Sequence, residues 1–89
     1  MAVNYGKVCQ EIAIICNILA MAHLNTEDYK MCMELLKKAE MYCESAAYPV
    51  RAITFNNFAC LFRRTNKLRI ALQYLEKALE IEYQCLNFP

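Results

Sequence analysis

Two stretches, AIICNILAMAHLNTEDYKMCMELLKKA at residues 13–39 and AITFNNFACLFRRTNKLRIALQYLEKA at residues 52–78, fall into register when the chain is shifted by 39 positions. Ala13 lands on Ala52, Ile14 on Ile53, Asn17 on Asn56 and Ala20 on Ala59. Further on, Thr26 meets Thr65, Leu36 meets Leu75, Lys38 meets Lys77 and Ala39 meets Ala78. Residues 13–45 give 8 identities in 33 pairs, where unrelated sequences of ordinary composition give roughly two. Leu19/Phe58 and Met21/Cys60 match in kind, and Tyr48-Pro49 recurs as Phe88-Pro89 one residue later. The chain is therefore a repeat, and its fold is that of one unit used twice.

Each unit reads as two helices. In the first, apolar residues recur at helical spacing: Ile12, Ile15, Cys16, Leu19, Ala20 and His23. Asn25 and Thr26 interrupt it, Asn25 suited to a left-handed C-cap and Thr26 to capping the next helix. The second helix is expected over about 27–46, with Tyr29, Cys32, Leu36, Ala39 and Cys43 on one face. Pro49 suits the first turn of helix three, where no backbone donor is needed. That helix runs to about Arg64, Thr65-Asn66 repeats the turn, and helix four follows over about 67–86. Helix one extends back towards Asn4, with Gly6 a weak spot. Turns this short make consecutive helices antiparallel neighbours. The expectation is an all-α fold of antiparallel helical hairpins, two repeats and four helices. It forms one domain over 1–89, with the first repeat at 4–47 and the second at 48–89.

Composition agrees. With 1 Gly and 2 Pro among 89 residues, loops are few, and the dominant Ala, Leu, Ile, Glu and Lys favour helix. Counted with glycine and without tyrosine, about 53% of residues are apolar, against roughly 45–50% in average globular chains. A small domain hides only about 60% of its unfolded surface, so apolar surface is expected to remain for a partner. The net charge of +1 gives no electrostatic reason to expect nucleic acid or an anionic membrane. The apolar run at 12–24 is broken by Asn17 and His23, lacks a basic leader and is too short to span a bilayer. With no disulfide-scaffold pattern, the 6 cysteines read as reduced thiols of a cytoplasmic protein.

The pattern resembles the tetratricopeptide repeat (TPR). The second unit supplies Phe55, Phe58-Ala59, Phe62, Ala71, Leu75 and Ala78 at the signature positions, and the first supplies Cys16, Leu19-Ala20, His23, Cys32, Leu36 and Ala39. The usual repeat is 34 residues. The longer spacing here, the Asn-Asn-Phe-Ala run at 56–59 and the Ala-Leu-Glu-Ile-Glu run at 78–82 are similar to kinesin light chains and related spindle and ciliary scaffolds. The resemblance implies a short TPR superhelix that binds protein, in the cytoplasm with cytoskeletal or ciliary associations. It also implies a concave groove lined by the first helix of each hairpin: Ile14, Asn17, Ile18 and Met21 from one repeat, and Ile53, Asn56, Asn57, Cys60 and Arg64 from the other. Of the carboxylate clamp found in chaperone-binding relatives only Asn57 is present, with Asn17 and Met21 where a lysine and an asparagine belong.

Other constellations have plainer readings. Arg63 and Arg64 complement the negative end of helix three, and Lys67 and Arg69 are solvated. Lys30, Glu34, Lys37 and Lys38 form a solvated face with i, i+4 ion pairs. Cysteine spacings of 7, 16, 11, 17 and 25, with His23 the sole histidine, do not suit a zinc site. Cys32 and Cys43 suit the core, and Cys9 and Cys85 the surface. No nucleophile elbow, phosphate loop or paired-histidine motif is present. The sequence thus predicts no enzyme, cofactor, metal or small-molecule substrate. Two functions remain: a module taking a partner segment in its groove, or a scaffold segment self-associating through apolar faces such as that of helix four, with Ile70, Tyr74, Ile81 and Leu86.

Overall fold

The computed structural model describes residues 5–43 and 48–86. Among them are four helices: α1 (Tyr5–Asn25), α2 (Tyr29–Cys43), α3 (Tyr48–Arg64) and α4 (Leu68–Leu86). The expected extensions to Asn4 and Ala46 lie outside the described residues. α1 pairs with α2 and α3 with α4 as hairpins, and α3 also packs on both α1 and α2. No packing joins α2 to α4 among the described residues. The stack therefore closes on the α1/α3 side and opens on the other, which makes the α1/α3 side concave. The Cα body measures 44 × 33 × 15 Å, too thin to enclose much of its apolar content.

Both hairpin turns have one design, and it corrects the expected capping. Helix α1 runs through Asn25, and the left-handed residue is Glu27 (φ 64°), matched by Asn66 (φ 62°) in the second repeat. The amide of Asp28 donates to the His23 carbonyl at 2.9 Å and that of Glu27 to Leu24 at 3.0 Å. Lys67 donates to Phe62 at 2.7 Å and Asn66 to Arg63 at 3.1 Å. These are two Schellman closures. The Thr26 hydroxyl turns back to donate to the His23 carbonyl, so Asp28 caps α2 instead, accepting from the Met31 amide at 3.2 Å. Each turn holds one favourable residue that the other lacks: Asp28 has Lys67 as its counterpart, and Asn66 has Glu27. Lys67→Asp is expected to stabilise the fold by about 1 kcal/mol through a new N-cap. Glu27→Asn should add about 0.5 kcal/mol by easing the left-handed backbone. Thermal melts check both, and a Tm unchanged by Lys67→Asp would refute the cap.

The core lies where α3 crosses the first hairpin and meets α4. Ala20, Leu24, Cys32, Leu36, Phe58, Ala59, Leu61, Phe62 and Ala71 form its main cluster, and Ala13, Cys43 and Val50 a smaller one. Small residues bring backbones close, and large ones fill the gaps beside them. Tyr74 stacks on Phe58 at 4.8 Å and on Phe62 at 5.6 Å between ring centroids, and the Lys77 ammonium lies 4.9 Å over its ring. Burial raises the Tyr74 hydroxyl above the ordinary tyrosine range.

The inward face of α2 is the expected one, but that of α1 is rotated. Its buried residues are Ala13, Cys16, Asn17, Ala20 and Leu24, whereas Ile15 and Leu19 are exposed on a side with no neighbour. On α4, Tyr74 belongs to the core and Ile81 is half-buried. The bare stripe is Leu68, Leu72, Leu75, Leu79 and Tyr83. The backward extension of α1 is seen as far as Tyr5. The helix starts before the apolar run, and its 21 residues are long and apolar enough, by length and composition, to cross a membrane. Its apolar residues divide between a stripe packed on α2 and α3 and a bare outer side.

Candidate protein-binding groove

The residues expected to line one groove fall into three places. Ile14, Ile18, Ile53 and Arg64 are exposed on the open sides of α1 and α3, with Met21 half-buried beside them. Ile18 is the barest of the three isoleucines, at 64%. Asn56 and Cys60 are half-buried and line a depression between α3 and α4, together with Ala59, Arg63, Ala71 and Leu75. Asn17 and Asn57 are joined inside the stack.

That last pair is a correction for Asn17, which is 4% exposed and has no surface to offer a partner. Its amide nitrogen donates to the Ala13 carbonyl at 2.9 Å and to the Thr54 hydroxyl at 2.8 Å, and its oxygen accepts from the Asn57 amide at 2.9 Å. Thr54, fully buried, donates its own proton to the Val50 carbonyl at 2.8 Å. Every polar atom of Asn17 is thus used, and its bonds tie α1 to α3. Thr54 was not singled out by sequence reasoning. The one available signal was its polar side chain at a position that the apolar period assigns to the interior.

The charged groups lie away from the groove floor. Arg63, Arg64, Lys67 and Arg69 are exposed around the second turn. His23 Nδ1 lies 3.4 Å from the Asp28 carboxylate at the first. All six cysteines are free thiols, and Cys9 and Cys85 are half-buried rather than exposed. Burial pushes the Cys32 and Cys43 thiols up, Asp28 and Cys60 adding to this at Cys32. Both are poor nucleophiles in this state. Among the described residues no group of three or more His, Cys, Asp or Glu is placed to hold a metal ion.

Stacked antiparallel helix pairs whose first helices share a concave side define a helical-repeat scaffold of the kind that binds other proteins. The model of the tetratricopeptide repeat family matches residues 13–45 and 52–85. The chain belongs to that family, and its repeats are of a kind that serves protein–protein interaction. No curated protein and no solved structure matches it.

Proposed function

We propose that the chain is a non-catalytic interaction module that seats one helical segment of a partner protein on the concave α1/α3 side. The observation that carries this is the exposure of Ile14, Ile18 and Ile53 (40%, 64% and 49%) on the side where α1 meets α3. Isoleucines left bare on adjacent helices suit an amphipathic helix with apolar residues at i, i+3/i+4 and i+7. An extended charged peptide has little to hold it, because Asn57 is already engaged by Asn17. Arg64 at the rim favours an acidic residue at one end of the partner helix. The packing of α1 on α2 and α3 supports protein rather than lipid as the partner. The long repeat and the Asn-Asn-Phe-Ala run support a place among the kinesin-light-chain-like members and a cytoplasmic, cytoskeletal or ciliary setting.

The test is a displayed library of helical peptides selected on the whole chain and counter-selected on Ile18→Asp. Amphipathic helices with an acidic end should be enriched, and Ile18→Asp should weaken them by about thirtyfold or more, as for a binding hot spot. Enrichment of extended charged peptides, or full binding by Ile18→Asp, would sink the reading. Association of identical copies is a second reading, favoured by the bare leucine stripe of α4. Light scattering checks it through the mass, 10.4 kDa for a single chain.

A further inference from the structure

On the open side of the stack α3 and α4 border a cavity of about 310 Å³, lined by Arg51, Phe55, Lys77, Glu80, Ile81 and Gln84. Arg51 and Phe55 each stand two residues from Ile53, which turns them about 160° round α3 from the concave side. Burial, and after it Glu40 of α2, raises the Tyr74 hydroxyl. Arg51, after Thr54, offsets part of the burial that raises the Cys43 thiol of α2. The cavity therefore lies on the side that looks towards α2. A shift of 39 residues puts Ile12 under Arg51 and Met41 under Glu80, so these charges are particular to the second repeat and no part of the repeat pattern.

The Lys77 ammonium lies 4.9 Å from the Tyr74 ring centroid and 5.8 Å from that of Phe55. The rings fix its place without neutralising it. Neither Lys77 nor Arg51 has a carboxylate within ion-pairing distance among the described residues, although Glu80 shares the lining. Two unpaired cations thus share one cavity with an aromatic ring and an aliphatic side chain.

We propose that this cavity binds a carboxylate carried on a small apolar group, with the carboxylate held by Arg51 and Lys77 and the apolar part against Phe55 and Ile81. Its volume is at the lower end of the roughly 300–1,000 Å³ of small-molecule sites, enough for one side chain or one small organic acid. The guanidinium fork of Arg51 matches a carboxylate with two parallel hydrogen bonds. Among the lining side chains, two cations against Glu80 leave a single positive charge, which suits a monoanion. A phosphate dianion would meet Glu80 and, beside Tyr74, Glu40 as well. Gln84 adds an amide donor at the same wall. The cavity is distinct from the concave α1/α3 side and does not depend on what that side binds.

The probe is phenylacetate, titrated into the whole chain by NMR. Saturable shifts are expected at the Gln84 side-chain amide, the Ile81 methyls and the Phe55 ring. Phenylacetamide, the neutral isostere, should bind at least about tenfold more weakly, and so should phenylacetate to Arg51→Gln or Lys77→Gln. Both residues are exposed, so the helical circular dichroism of these variants should be intact, which separates lost binding from a lost fold. Glu80→Gln should tighten phenylacetate by about twofold to fivefold, and Ile18→Asp should leave its binding unchanged. Two further probes identify the source of the carboxylate. Tighter binding of an acetylated and amidated Asp-Phe dipeptide assigns the site to an acidic side chain of a protein, and tighter binding of phenylacetate to a free small acid; either result supports the proposal. Absence of saturable shifts, equal binding of acid and amide, tighter binding of phenyl phosphate, or full binding by Arg51→Gln would each overturn it.

Discussion

Phe58→Ala is expected to destabilise the fold by about 3–5 kcal/mol, as truncation of a buried aromatic does. Phe58 is 2% exposed and is one of the largest buried side chains. It belongs to the cluster that draws on α1, α2, α3 and α4, and its ring lies against Tyr74 of α4 and Phe62 one turn along α3. Removing the ring opens a cavity where the two hairpins meet, so both lose their support together. A chain of this size has on the order of 5–10 kcal/mol of stability in total, so the variant should lose roughly half of it. Urea denaturation measures this as a lower midpoint, with an unchanged slope while unfolding stays two-state. Leu79→Ala is the control. It removes a large apolar side chain that is 63% exposed and should change stability by less than about 0.5 kcal/mol. Equal effects at the two positions would mean that the α4 stripe is covered in solution.

The contrast between Phe58 and Leu79 marks what the sequence can reveal. The 39-residue self-match, the scarcity of Gly and Pro and the helical spacing were enough for four helices in two hairpins, because those signals are local or repeat on themselves. The inward face of α2 was legible for the same reason. The capping residues were not. Asn25-Thr26 and Glu27-Asp28 offer competing sets of polar residues, and the choice depends on which carbonyls of α1 remain free to accept. The rotation of α1 is not legible in the sequence because two of its large apolar residues, Ile15 and Leu19, lie on a side without a neighbour, while Ala13, Asn17 and Ala20 face the packed one. Burial within the repeats was illegible in principle. Leu36 and Leu75 are the same residue at the same register position, one sealed and the other bare. The difference lies in whether a third helix follows in space.

The candidate site divides in the same way, and Asn17→Ala is the substitution that tests the division. The resemblance implies Asn17 as a groove-lining residue, yet its three hydrogen bonds all stay within the stack. Its loss is expected to destabilise the fold by about 2–3 kcal/mol, from three bonds worth roughly 0.5–1.5 kcal/mol each and a small cavity. The upper end is limited by the partners. Thr54 keeps its own bond to the Val50 carbonyl, and half-buried Asn57 can turn its amide to water. A double-mutant cycle with Asn57→Ala isolates the pair, with an expected coupling of about 0.5–1.5 kcal/mol. Asn56→Ala removes the same side chain from the equivalent position of the second repeat. Among the described residues its side chain has no hydrogen-bond partner to lose, so the change should alter stability by less than about 0.5 kcal/mol. If Asn56→Ala proves as damaging as Asn17→Ala, the depression between α3 and α4 is covered in solution. If Asn17→Ala is neutral, the polar tie does not hold α1 against α3, and the concave side is less preorganised than the hydrogen bonds imply.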